Sequence, residues 1–473
     1  MLSRRMSQRM LKEEIVNKEQ LREAAHRQRL HGGRLDQNLV ALGYITDDQL
    51  GSFFTRTPPA PEEVVDTGLD LDFIADLILK HAVGMGEFRL NDMSRRIGLS
   101  TNILDEAIEL LRREKLVEVR SASQFVKSSF NFIITGPGKT RAGELMEICR
   151  YAGPAPVVLE DYRDMVENQS IRNIKLNDDI VHAAFSDLVI SEHMLGRLGP
   201  AISSGAPIFI YGPPGNGKTT IAETIGQILP ETIYVPHALY VGGQIITIFD
   251  PVNHTVVSGL PGDETLAETV DQRWVRIQRP IVMTGGELTL RMLDLEFNSI
   301  AKFYEAPLQM KANNGLFILD DFGRQKMDPQ SLLNRWIINL DRQIDFMSMH
   351  TGMKFEIPFD QIVIFATNLE PKTLVDEAFL RRIRYKIKIE QPTEDEFKEI
   401  FQRVCRMNNV NFNEDVFRHL IEHWYQRHNF DFSACHPRDL VDHINDLASF
   451  FDEKPEMTRS TIDHACENYF VET

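Results

Sequence analysis

Three short apolar runs stand out in the second half of the chain: residues 207–211 (PIFIY), 315–319 (GLFIL) and 361–367 (QIVIFAT). Each is too short for a buried helix and lacks polar alternation, which predicts strands buried in an open α/β sheet. The first runs into a glycine-rich stretch and then the helix-forming IAETIGQIL, while the pattern beyond residue 391 is wholly helical. Upstream, Leu71, Ile74, Leu77 and Ile78 fall at helical spacing over 71–82. A short helix over Leu90–Ile97 is closed by Gly98, and Ser100 is placed to cap a helix over 101–114. Residues 115–120 (KLVEVR) and 130–134 (FNFII) alternate as strands do. Helix–turn–helix followed by a β-ribbon predicts a winged-helix shape.

The first residues hide a repeat. Residues 34–45 (RLDQNLVALGYI) have a weaker copy at 5–16, an offset of 34 − 5 = 29 residues. Two short helical units at a fixed offset predict a small self-packed α domain. Proline-rich stretches at 55–68 and 151–158 read as linkers. The boundaries then fall at 1–57 (helical repeat), 58–70 (linker), 71–150 (winged-helix-like), 151–176 (linker), 177–390 (α/β body) and 391–473 (helical end).

Composition narrows the function classes. At 42% hydrophobic and 26% charged residues, the 473-residue chain has enough apolar material to bury real cores. Its formal charge of −17 argues against coating nucleic acid or an anionic membrane. Four scattered cysteines without a CxxC pair give no zinc or disulfide framework and fit a reducing, cytoplasmic setting. No apolar run reaches ~18 residues, so no membrane insertion is expected. The opening MLSRRMSQRMLKEE lacks the apolar region of a secretory signal.

The chemistry is carried by Gly212-Pro213-Pro214-Gly215-Asn216-Gly217-Lys218-Thr219-Thr220, a GxxxxGK[ST] loop between strand and helix. Glycines let backbone N–H groups converge on phosphate oxygens at a helix N-terminus. Lys218 would reach the β/γ-phosphates of ATP, and Thr219 would offer its hydroxyl to Mg²⁺. Asp320 and Asp321 end the second apolar run, where Asp320 would hold the Mg²⁺ and Asp321 would polarise the attacking water. Asn368, at the end of the third run, is placed to orient that water. Asp321-Phe322-Gly323 also spells a kinase DFG, but no HRD loop accompanies it. An arginine-rich segment, 376–384, and Arg438 follow.

From about residue 177 onward this order resembles that of AAA+ ATPases: Walker A, Walker B, sensor 1, an arginine-finger segment and sensor 2. The resemblance implies an αβα P-loop domain with a helical lid. It puts the fingers on Arg381 and Arg384, with Arg382 an added candidate, sensor 1 on Asn368 and sensor 2 on Arg438. Most relatives carry Glu where this chain has Asp321. The whole layout is similar to bacterial AAA+ proteins described as predicted ATPases with chaperone activity, and it implies an oligomeric ring, a hexamer. The N-terminal repeat resembles the N-terminal domain of type II secretion and type IV pilus assembly ATPases. In some of those, paired RLGxxLVxxGxI motifs bind cyclic di-GMP. Here Asp36 replaces the first glycine of the second copy, and Ser7 and Glu14 replace both glycines of the first. A protein-docking role is the preferred reading and cyclic di-GMP the alternative.

Two further expectations concern the long segment 232–314. Tyr240-Val241-Gly242 has the form of an unfoldase pore loop, against a plain core role for Tyr240. Arg273, Arg276 and Arg279 either meet a neighbouring subunit or cover apolar surface. In the middle domain, Asn102, Asp105, Glu106 and Glu109 face outward from the second helix of the helix–turn–helix, and carboxylates there repel phosphate, so no DNA is expected. Three functions remain in order of preference: a ring that remodels a protein partner, an ATP-switched scaffold of a secretion or motility system, and a DNA-associated initiator or loader.

Overall fold

The computed structural model describes residues 10–11, 15–31, 35–46, 57–122, 130–174, 176–229, 232–257, 270–374 and 377–470. Its centre is a five-stranded, all-parallel sheet of β1 (Ile208–Tyr211), β2 (Ile281–Thr284), β3 (Leu316–Leu319), β4 (Ile362–Thr367) and β5 (Tyr385–Lys388). The spatial order is β2-β3-β4-β1-β5. Every residue of β3 and β4 is buried, which is why these runs show no alternation in polarity.

Alternation survives in side-chain direction. Ile208, Ile210, Ile318 and Ile364 pack on one face with Ile221, Ala222 and Ile225 of helix α1 (Lys218–Ile228). Phe209, Phe317 and Phe365 pack on the other with Leu332, Leu333 and Trp336 of helix α2 (Pro329–Arg342). The result is an αβα sandwich. Helix α2 starts sharply because Pro329 occupies its first position and the Asp328 carboxylate accepts the Ser331 N–H.

The segment 232–314 builds a second sheet. It orders Glu296–Asn298, Phe303–Glu305, Gln244–Thr247, Ala238–Val241 and Val157–Val158 side by side. A separate antiparallel pair joins Thr232–Pro236 to Trp274–Gln278. Tyr240 lies on one of these strands, half-buried, with its ring 4.7 Å from that of Phe73. The core reading of Tyr240 therefore replaces the pore-loop one. The arginine trio also points inward. Arg273 is buried, pairs with Asp271 and donates to the Thr67 and Pro156 carbonyls. Arg279 is likewise buried and donates to the Gln169 and Asn314 carbonyls, while Arg276 donates to Thr232 Oγ1.

The middle domain has helices Leu71–Met85, Leu90–Ile97 and Thr101–Arg113 against an antiparallel sheet of Glu87–Arg89, Phe130–Ile134 and Val117–Ala122. Gly98 closes the second helix in the left-handed conformation. Ser100 precedes the third helix, but its side chain makes no capping bond. This domain shares one hydrophobic cluster with Ala238 and Ile245 of the second sheet. Both presumed linkers are built into the fold. Asp271 N–H donates to the Pro58 carbonyl, and 151–176 holds helix Leu159–Asn168, whose Tyr162 is buried and accepts from Asn313 Nδ2.

At the N-terminus the helices Lys18–His31 and Leu35–Ala41 enclose a small cluster. Its buried Met10 and Leu39 lie 39 − 10 = 29 residues apart, as do Val16 and Ile45 (45 − 16 = 29). The same backbone bond recurs at that offset, Ile15 N–H to the Met10 carbonyl and Tyr44 N–H to the Leu39 carbonyl. Residues 5–9, 12–14, 32–34 and Asp376 lie outside the described residues. The C-terminal unit is helical throughout, with a core around Phe397, Phe401, Leu420 and Leu440. It includes helix α3 (His436–Phe451).

Candidate active site

β1 ends in the glycine-rich loop. Gly212, Gly215 and Gly217 adopt φ of +146°, +74° and +76°, values that side chains resist. At Gly212 space is also closed, since a Cβ would lie 2.0 Å from the Ile389 carbonyl oxygen. The loop hands over directly to α1, whose first residue is Lys218. Lys218 is buried, and its Nζ donates to the Gly212 and Pro213 carbonyls at 3.0 and 2.7 Å. Burial pushes its pKa below the ordinary lysine value, while Asp320 and Asp321 pull it back up. A phosphate chain would act in the same direction as those carboxylates.

Thr219 Oγ1 donates to Asp320 Oδ2 at 2.8 Å. A hydroxyl and a carboxylate oxygen thus meet, oxygen donors of the kind a hard cation takes. Asp321 follows at φ +48°, a left-handed conformation that Asp tolerates better than most residues. Its N–H donates to Asp320 Oδ1. The turn is fixed by Phe322 N–H on the Ala366 carbonyl and by Thr367 Oγ1 on the Phe322 carbonyl. The side chain of Asp321 is exposed at the sheet's C-terminal edge.

Asn368 directly follows β4, and β4 lies between β1 and β3. It therefore sits at the same edge, between the loop and the Asp320–Asp321 pair. Arg381, Arg382 and Arg384 lie elsewhere. They precede β5 and line an open polar groove of about 710 Å3 with Arg172, Pro207 and Asp341. Since Tyr385 pairs with Ile208 and Lys388 with Tyr211, this groove is at the N-terminal edge of the sheet. A four-residue strand, about 13 Å, separates it from the loop. Arg382 pairs with Asp341 at 2.8 Å, whereas Arg381 and Arg384 are exposed.

Arg438 stands exposed in the first turn of α3 and leans on its neighbour Asp439 at 3.4 Å. The chain just before it touches the glycine loop. Ala434 N–H donates to Asn216 Oδ1, Cys435 N–H to the Gly215 carbonyl, and Ser433 Oγ to the Pro214 carbonyl. Motif spacing gave no sign of Ser433–Cys435, because the contact joins positions 219 residues apart. Glu287 was also missed: its carboxylate accepts from Gly285 N–H and Thr284 Oγ1 at the end of β2, and these bonds hold it below the usual range. The Gly285-Gly286 pair after an apolar run was the available signal.

A family described as a domain of unknown function, DUF8689, matches residues 393–468, the helical C-terminal unit. No curated protein matches. Among solved structures, Thermotoga maritima RuvB, described as a Holliday junction branch migration motor, is 14% identical, with a TM-score of 0.33 over 59% of this chain and 68% of that one. Brucella abortus NtrX in complex with ADP is 14% identical, with a TM-score of 0.36 over 59% of this chain and 56% of that one.

Proposed function

We propose that this chain is a Mg²⁺-dependent ATP hydrolase of the AAA+ type that works as a cytoplasmic ring, a hexamer by resemblance, and remodels a protein partner. The observation that carries the reading is the 2.8 Å contact between Thr219 and Asp320 beside a buried Lys218. Thr219, in the first turn of α1, and Asp320, just past β3, lie 101 positions apart in sequence. They fit a phosphate-bound Mg²⁺: the amides of 212–217 and Lys218 would bind the phosphates, and Thr219 and Asp320 would hold the ion. The ion's contribution is charge neutralisation at the phosphates. Asp321 would accept the proton of the attacking water, Asn368 would orient that water, and Arg438 would reach the phosphates from the lid.

Arg381 and Arg384 sit at the far edge of the sheet from their own loop, which supports a role on a neighbouring subunit's nucleotide. The middle domain is read as a winged helix used for protein contact rather than DNA. The turn before its third helix is covered, since a Cβ on Gly98 would meet the Gln272 backbone at 3.0 Å. The N-terminal repeat is read as a docking domain of the secretion-ATPase kind. Cyclic di-GMP is the competing ligand there, and calorimetry on the full chain decides, micromolar affinity reversing the order.

The test of the enzyme reading is ATP binding and turnover with Lys218→Ala and Asp321→Asn. The first should lose binding. The second should bind while turnover falls by about 10²-fold or more, the scale of losing general-base help. A wild type that neither binds nor hydrolyses ATP with Mg²⁺ overturns the proposal.

A further inference from the structure

The lid and the glycine loop are joined by side chains as well as by backbone, and one of those side chains belongs to the glycine loop itself. Asn216 occupies the variable position just before Gly217-Lys218, is only 6% exposed, and divides its carboxamide between two tasks. Its Oδ1 accepts the Ala434 N–H at 2.9 Å. Its Nδ2 is buried with no hydrogen-bond partner. Leaving an amide donor buried and unpaired costs about 1–3 kcal/mol, so its retention points to an acceptor that arrives with a ligand. The Ala434 end lies two residues ahead of α3, and Arg438 is in that helix's first turn.

We propose that Asn216 is a positioning residue that couples phosphate occupancy of the loop to the seating of the lid. Oδ1 fastens the 433–435 loop and so fixes where α3 starts and where Arg438 can reach. Nδ2 is held for a phosphate oxygen of the bound nucleotide. One planar amide thus spans both events: when a ligand orients the amide, it orients the lid. This inference rests on the nucleotide-site reading above, but its first measurement needs no nucleotide.

Hydrogen exchange of the 433–436 amides, read by mass spectrometry on the intact nucleotide-free chain, tests the fastening end. Losing one hydrogen bond of ordinary strength should speed exchange in Asn216→Ala by roughly three- to tenfold. Asn216→Asp keeps the acceptor oxygen and should retain the protection. ADP affinity tests the coupling. If the clasp sets Arg438, then Arg438→Ala should weaken binding roughly tenfold in the wild type and clearly less in Asn216→Ala. Asn216→Asp, protected but lacking Nδ2, should still bind ADP more weakly than wild type. Unchanged exchange in Asn216→Ala, or Asn216 and Arg438 effects that simply multiply, overturns the proposal. A wild type that fails to bind ADP while the exchange pattern holds would defeat the nucleotide reading and leave the clasp in place.

Discussion

At Gly215 the loop has no room for a side chain. A Cβ there would lie 2.5 Å from Ser433 Oγ and 2.6 Å from Cys435 Sγ, and the residue's φ is +74°. Gly215→Ala should therefore cost about 1–3 kcal/mol in backbone strain and force the Ser433 and Cys435 side chains of the lid loop to turn away. Nucleotide affinity and lid exchange should change together, and a variant with wild-type affinity contradicts this. The cysteines give a second residue-scale test. Burial pushes the Cys405 thiol up to about 12 and raises Cys466 as well, whereas Cys149 and Cys435 are only half-buried. Since the thiolate is the reactive form, native labelling at mildly alkaline pH should modify Cys149 and Cys435 and spare the other two. ATP should slow labelling of Cys435; mass spectrometry of the labelled peptides reads this directly. The glycine loop was legible in the sequence because nine contiguous residues specify it. The partner that restricts Gly215 was not, because tertiary contact alone brings Cys435 there.

Within the lid, a π-helical turn over Leu420–Gln426 brings His419 and Trp424 onto one carboxylate. Trp424 Nε1 and His419 Nε2 both lie 2.8 Å from Asp463 Oδ1. Burial pushes the Asp463 carboxyl up, but these two hydrogen bonds and the nearby histidines outweigh it, leaving the group below its ordinary value. A carboxylate with a depressed folded pKa stabilises the fold above its unfolded pKa of about 4, and this share is lost as pH falls through the lower folded value. Asp463→Ala should thus destabilise the lid by about 1–2 kcal/mol at neutral pH. The gap in melting temperature between wild type and variant should close below about pH 4; a gap that widens there would contradict the assignment. Arg273 offers a sharper contrast. Its pair with Asp271 is almost fully buried, so Arg273→Ala should cost about 3–5 kcal/mol, while half-buried Arg276→Ala costs far less. Denaturant midpoints of the two variants check this. Sequence marked these arginines as a cluster, but their burial depends on the Thr67 and Pro156 carbonyls, which no local pattern reveals.

For the whole molecule, strand polarity decides how catalysis is shared. The glycine loop opens from one edge of the sheet and Arg381 and Arg384 from the other, so a lone subunit would have only Arg438, and neither of these two, near its own phosphates. An arginine supplied in trans contributes about 10³–10⁵ in rate in related phosphoryl transfers. ATPase activity per subunit should accordingly rise with protein concentration as rings form. Lys218→Ala subunits, inactive themselves, should partly rescue Arg381→Ala subunits when mixed. Strict proportionality to a monomeric species, with no rescue at any ratio, would contradict assembly-dependent catalysis. The apolar runs exposed three of the central sheet's five strands in advance, β1, β3 and β4, but not β2 or β5. The second sheet escaped notice because its strands are two to four residues long and pair across long gaps in sequence.

The packing of the middle domain carries one more consequence. Phe73 on Tyr240, together with Ala238 and Ile245 in the middle domain's own core cluster, joins that domain to the second sheet through apolar contact. A joint of that kind has no slack in which to absorb rotation. A tilt of the second sheet would carry the middle domain with it. The assembly would behave as a crank arm, whose throw is set by its length rather than by the softness of a hinge.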